Sequence, residues 1–291
     1  MKTRLRIILR DVRSEVEASK ISRPISELKD MIKDAAPVRS LSGALRHDFG
    51  VMAEVKVKSP SAGFMRPENV RDTTTCYEKS PLVRAVSVLT NGHFGMSIER
   101  LAQAKKEFSK PILRKDFIID EYQIYESRAY GADAILLMGN VLNKSKLQKF
   151  WQLAQELGLE VLFESHTRAE IKNIPVGASI YGINCRLMDS SGDAGAPIWE
   201  PLLRMLSADT DPSRFNMIRF LPVDAIKVAE SGISSSTVKN VKDRGYNAAL
   251  IGTSLLTAPE GLQAAIGKFE AALAPTGDGK ADARTLEHAV A

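Results

Sequence analysis

Residues 111–138 read PILRKDFIIDEYQIYESRAYGADAILLM, and this stretch decides the fold. It opens on a short apolar run ending in charge, Pro111–Lys115. It then passes through a segment with apolar positions at helical spacing and enters a second apolar run, Asp133–Met138. The run AILLM is continuous rather than alternating, as in a parallel strand covered on both faces, and two parallel strands need a helical crossover between them. The unit is strand, helix, strand.

Outward from this stretch the unit recurs. Val51–Lys56 and Val83–Leu89 precede it, and Leu159–Glu164, Ser179–Asn184, Ala225–Glu230 and Ala248–Gly252 follow. Each is followed by polar or Gly-bearing residues and then by helical spacing, apart from the longer interval after the sixth. Eight such strands predict an α/β fold closed as a (β/α)8 barrel. An open doubly wound sheet is the competitor, but no Gly-x-Gly-x-x-Gly follows the first strand, as a dinucleotide fold would want. Gly131-Ala-Asp-Ala-Ile-Leu-Leu-Met and Gly245-Tyr-Asn-Ala-Ala-Leu-Ile-Gly, at strands four and eight, resemble each other as half-barrel duplicates would.

The barrel and its amino-terminal extension are expected to form one domain over 1–275. The extension, 1–48, has helical composition over Asp11–Lys20 and Ile25–Ala35 and is expected to cover one barrel mouth. The interval between strands six and seven, within 187–222, is rich in Ser, Gly, Asp and Pro and reads as an inserted loop. Residues 276–291 lack apolar periodicity and read as a disordered tail.

The 291 residues are 44% hydrophobic and 26% charged, ordinary for a chain that buries a sizeable core. There is no long apolar run, and the opening MKTRLRIILRDVRSEVE has no leader-like core, so no membrane partner is expected and the cytoplasm is the default location. The net charge of +5 is interleaved with acids rather than clustered, which suits a small anionic substrate better than nucleic acid. Cys76 and Cys185 have no metal-ligand spacing and read as reduced thiols. A monomer or weak homo-oligomer is expected of a complete barrel.

In such a barrel the chemistry lies at the carboxyl ends of the strands, so polar residues that close apolar strands are the candidates. Strand one carries Glu54 and Lys56, two apart and therefore on one face, with Lys58 and Ser59 following. Strand three ends in Arg114-Lys115-Asp116 and strand five in Glu164. Strand six ends in Asn184, with Arg186 two residues on, and strand seven in Glu230. Ser231-Gly232 after strand seven and Gly252-Thr253 after strand eight match the common phosphate site of barrels. The tight-turn role of those glycines is the plainer alternative. Lysines and glutamates converging on one mouth point to proton transfer. No histidine is placed at a strand end, no Ser-His-Asp set is seen, and the carboxylates are mixed with lysines rather than grouped as metal ligands, so no metal is expected.

These stretches together resemble the indole-3-glycerol-phosphate synthase family: AEVKVKSPSAGFMRP at 53–67, SVLT at 87–90, PILRKDFIIDEYQIYESRAYGADAILLM at 111–138, LGLEVLFESH at 157–166, GINCR at 182–186, and VAESGIS with ALIGTSLL within 228–256. The resemblance implies a cofactor-free carboxy-lyase of tryptophan biosynthesis that closes a pyrrole ring with loss of CO2 and water. It implies Lys115 as general acid, Lys56 on the phosphate and in proton transfer, and Glu164 as acid or base in the dehydration. Glu54, Asn184 and Glu230 would orient them. Arg186 with Asn184 would take the substrate carboxylate beside Lys58 and Ser59, and Phe94, Phe117 and Leu136 would hold the ring, although each could simply be core. The phosphate would rest on Ser231, Gly232, Gly252 and Thr253.

The chain departs from the family pattern at Asn91, where an acid is usual, and in the short loop Asn91–Ser97. It departs again at Lys79–Arg84, in place of a Gly-Ala-rich run, and at Leu187, where Asp is usual, with a longer loop beyond. Two alternatives stay open: a paralogue acting on a modified aryl-amino sugar phosphate, and a non-catalytic barrel that binds sugar phosphates. A related barrel isomerase lacks support, since neither its cysteine near strand one nor its aspartate acid is found.

Overall fold

A computed structural model describes residues 3–59, 62–187 and 210–275. Eight parallel strands close on themselves: β1 (Gly50–Val55), β2 (Val83–Leu89), β3 (Ile112–Lys115), β4 (Ala134–Met138), β5 (Glu160–Ser165), β6 (Ile180–Asn184), β7 (Ile226–Glu230) and β8 (Ala248–Ile251), with β1 pairing both β2 and β8. Helices alternate with them, and the (β/α)8 barrel is as expected, each strand bound lying within one residue of the sequence reading. The inserted loop falls largely, and the 276–291 segment wholly, outside the described residues. Among the described residues no helix is long and apolar enough to cross a membrane.

Alternation along each strand sorts side chains into two cores. Val51, Ala53 and Val55 of β1 face the helices, as do Ile135 and Leu137 of β4. Met52, Leu113, Ala134, Leu136, Leu162, Ile180, Val228 and Leu250 fill the barrel interior. On the odd-numbered strands the next inward positions toward the carboxyl ends are charged, and they are Glu54, Lys115, Glu164 and Glu230.

The amino-terminal extension forms α1 (Thr3–Ser22), α2 (Ile25–Lys33) and α3 (Leu41–Leu45). It reaches both mouths rather than one, because it carries two separate apolar stripes. Leu41 and Leu45 of α3 are fully buried among Met52, Ala85, Ala134 and Ala248 and plug the amino-terminal mouth. There Ser42 N donates to Glu160 Oε2 at 2.8 Å, at the start of β5. In α1, Ile8, Val12 and Val16 form an i, i+4, i+8 stripe against the other end. Tyr122 Oη donates to Ser19 O at 3.1 Å and Arg23 O at 2.9 Å, and Lys20 pairs with Asp120 at 2.9 Å.

Two local details follow from single residues. Gly131 and Gly245 have φ of 90° and 91°, and two positions on, Asp133 and Asn247 accept from Ile112 N at 2.8 Å and Lys227 N at 2.9 Å. The similarity of the two segments is thus a repeated helix-to-strand joint. A small hairpin after β1, pairing Lys58–Ser59 with Gly63–Phe64, was not foreseen, since two-residue strands carry no periodicity.

Candidate active site

Lys115 ends β3 facing inward, and its ammonium donates to Glu164 Oε2 at 3.2 Å and Glu230 Oε2 at 3.1 Å. These partners stand on β5 and β7, neither adjacent to β3, so the three groups meet across the lumen. With Glu54 on β1 they come from the four odd-numbered strands, the pattern by which alternate strands supply one layer of a barrel interior. The layer rests on Leu113, Leu162 and Val228.

Burial and charge oppose each other here. Burial alone would lower Lys115, but Glu230, Glu164 and Glu54 outweigh it and raise it above the ordinary lysine value. Burial would raise Glu164, yet Lys115 and His166 bring it below the carboxylate range. Glu230 goes the other way, raised by burial and by the neighbouring Glu164 charge. One lysine between two buried carboxylates thus leaves them shifted apart, Glu164 downward and Glu230 upward.

On β1, Lys56 pairs with Glu54, both nearly out of solvent, and donates to Thr253 Oγ1 at 3.0 Å. Glu54 is raised by burial but lowered further by Lys56, Lys115 and Arg186, so the Arg186 charge is felt inside the mouth. Two glycines make room for this layer. A Cβ on Gly182 would lie 2.1 Å from Glu230 Oε1, and one on Gly252 would lie 2.2 Å from Glu54 Oε1. Gly252 therefore has a reason to be glycine besides the approach of an anion.

After β7, Ser231 and Gly232 both adopt left-handed φ, 70° and 68°. Holding a serine there costs on the order of 1–3 kcal/mol, as is seen at functional turns. Ser254 Oγ donates to Ile233 O at 2.5 Å and ties this turn to the one after β8, where Thr253 faces Lys56. Asn184 Oδ1 accepts from Arg186 N at 2.9 Å, and Arg214 Nη1 holds Arg186 O at 3.1 Å. Lys58 and Ser59 lie in the small hairpin. Gly95, beside Phe94, packs where a Cβ would lie 2.4 Å from Val57 Cγ2, so these two loops touch at the rim. Phe117 is half-buried between the two cores, and Leu136 lies inside the barrel, one inward position below Met138.

Three features escaped the sequence reading. Arg114 faces away from the lumen and binds Asp116, Glu126, Thr90 and Ser127, fixing the strand end that carries Lys115. Asn91 donates to Asp116 Oδ1 at 3.2 Å while its own Oδ1 accepts from His93 N at 3.0 Å. An ionised acid at 91 could not donate to Asp116, so Asn91 makes a bond that an acid there would not. The expectation that no histidine stands at a strand end is corrected: His166 directly follows β5, buried, with Nε2 at 3.6 Å from Glu164 Oε1. The signal was present in FESH, one residue past the strand.

Among solved structures, 3-hexulose-6-phosphate synthase from Salmonella typhimurium superposes with a TM-score of 0.55 at 16% identity, over 77% of this chain and 98% of that one. That likeness concerns the fold. A parallel barrel whose carboxyl-end interior is lined by buried lysines paired with glutamates has the fold of a barrel enzyme and, at that mouth, a candidate acid–base site. The family model of indole-3-glycerol phosphate synthase matches residues 5–191. Proteins named indole-3-glycerol phosphate synthase from Alkaliphilus metalliredigens and Chlorobium luteolum are 36% and 37% identical over 258 and 265 residues, covering 86% and 89% of this chain and 92% and 95% of their own lengths. The chain belongs to the indole-3-glycerol phosphate synthase family.

Proposed function

We propose that this mouth converts 1-(2-carboxyphenylamino)-1-deoxyribulose 5-phosphate to indole-3-glycerol phosphate, with Lys115 as the general acid. The observation that carries the assignment is the Lys115 ammonium held between Glu164 and Glu230 across the lumen. A protonated amine there can give its proton to the sugar carbonyl oxygen as the ring carbon attacks it. Loss of CO2 restores the aromatic ring. Lys115, reprotonated after that attack, gives the hydroxyl the proton with which it leaves as water, while Glu164 takes the proton from the carbon beside the nitrogen and returns it to the Lys115 amine 3.2 Å away.

Lys56, with Thr253, Gly252, Ser231 and Gly232, takes the phosphate, its ammonium already directed to Thr253. Arg186 and Asn184 take the carboxylate, whose planar geometry suits a guanidinium. Lys58 and Ser59 close over that side, and Phe94 and Phe117 line the ring above Leu136. Glu54 and Glu230 hold the lysines in place. A phosphorylated metabolite as substrate fits a cytoplasmic enzyme.

The decisive measurement is indole fluorescence from the purified protein given this substrate. Turnover is expected, and Lys115→Ala should lower kcat by at least about 100-fold, the scale of a lost acid catalyst, while inorganic phosphate still competes for binding. A wild-type protein that gives no indole signal refutes the assignment. An active Lys115→Ala refutes the role of that lysine.

A further inference from the structure

His166 is buried, and neither ring nitrogen has a hydrogen-bond partner. An orphaned imidazole out of water costs on the order of 1–3 kcal/mol and calls for a function. Its surroundings are specific. Nε2 faces Glu164 Oε1 at 3.6 Å, and Nδ1 faces Glu170 Oε2 at the same distance. The Glu164 side chain is 2% exposed, that of His166 5% and that of Glu170 16%, so the three form a graded path from the lumen to solvent.

The reaction gives such a path work to do. With the substrate carboxylate ionised, indole-3-glycerol phosphate, CO2 and water together carry one negative charge fewer than the substrate. The departing oxygen takes two protons on its way to water, and the carbon beside the nitrogen returns one. Each turnover therefore draws one proton from outside. We propose that His166 and Glu170 relay this proton to the buried Glu164, which makes His166 a positioning residue acting through Glu164. The step balances: Glu170 receives a proton from water, His166 accepts it at Nδ1 and releases one from Nε2, and Glu164 takes that proton and passes it to the Lys115 amine, 3.2 Å away, which has given its own to the carbonyl oxygen.

A capping role does not account for the ring. Glu170 accepts from His166 N at 2.7 Å, and Thr167 Oγ1 accepts from Glu170 N at 3.3 Å, starting the helix Arg168–Ile171. That motif uses only the backbone of residue 166 and would work as well with serine or asparagine there. The other charges near the path are turned elsewhere: Lys115 lies beyond Glu164, and Arg168 stacks on Phe220 at 4.3 Å from the ring centroid. The loop after β4 also yields to Glu170, since a Cβ on Gly139 would lie 3.0 Å from Glu170 Cβ.

The proposal rests on the assigned reaction, and steady-state kinetics separates the two. In His166→Asn and Glu170→Gln, kcat should fall about tenfold with KM within about twofold, and should climb with the concentration of a small buffer acid at fixed pH, whereas the wild type stays flat. A purely structural role would not produce that buffer dependence. Wild-type-like kcat in both variants, or a loss that buffer does not restore, overturns the relay. If His166→Asn fails to fold, Glu170→Gln decides alone. A wild type with no turnover instead refutes the reaction and removes the need for the relay.

Discussion

At the residue scale, the mouth depends as much on what is absent as on what is charged. Gly182 and Gly252 leave the volume that Glu230 and Glu54 occupy, so a methyl group at either position collides with a buried carboxylate, which would have to shift. Gly182→Ala should therefore destabilise the protein by about 1–3 kcal/mol, the range for overpacking a filled interior. In urea unfolding the cost should shrink by more than about 0.5 kcal/mol when Glu230→Ala is added, since the two positions share one space. Equal costs in both backgrounds would mean that Gly182 serves another end. Glu54, Lys115, Glu164 and Glu230 were legible in the sequence because a charge closing an apolar strand stands out. Gly182 was not, because its partner lies on the neighbouring strand, 48 positions away in a chain of 291. His166 was missed for a related reason: it follows the strand rather than closing it, and only the fold sets its ring beside Glu164.

At the scale of elements, the extension joins the two ends of the barrel by different means. The α3 plug is apolar and complete, with Leu41 and Leu45 sealed inside. The α1 helix, about 30 Å long from its 20 residues, is held at its carboxyl end by polar ties from the loop and helix that follow β3. The single Tyr122 hydroxyl proton is shared between two carbonyls there, Ser19 O and Arg23 O. Tyr122→Phe should loosen the end of α1 by about 1 kcal/mol, the net value of such a bond. Faster amide exchange over residues 12–22 with unchanged exchange in β4 and β5 would establish it; uniform acceleration would show instead that Tyr122 supports the barrel as a whole. The strands themselves were readable because buried parallel strands are unbroken apolar runs. The split role of the extension was not, since a stripe on a helix states that a face is buried but not against which mouth.

For the whole molecule, the barrel separates stability from chemistry along its axis, and Asp133 is the means of testing that division. It opens β4 at the amino-terminal end, fully buried, and accepts from Arg39 N at 2.7 Å, Ile112 N at 2.8 Å and Lys105 Nζ at 2.6 Å. One carboxylate thus joins the extension, β3 and the helix Glu99–Glu107. Lys105 is lowered by its burial, against which Asp133 raises it, so its charge depends on this partner. Removing Asp133 leaves that ammonium without its carboxylate and two backbone donors unmatched, and Asp133→Ala should cost about 3–5 kcal/mol, as when one member of a buried pair is deleted. The urea midpoint should drop accordingly, while kcat for the folded protein stays within about twofold of wild type, because no group at the carboxyl-end mouth has moved. Lys115→Ala, which also leaves buried carboxylates unpaired, should by contrast end turnover even in protein that is fully folded. If Asp133→Ala lowered kcat as severely as it lowers the urea midpoint, the two ends of the barrel would have to be coupled through the strands, and the separation along the axis would fail.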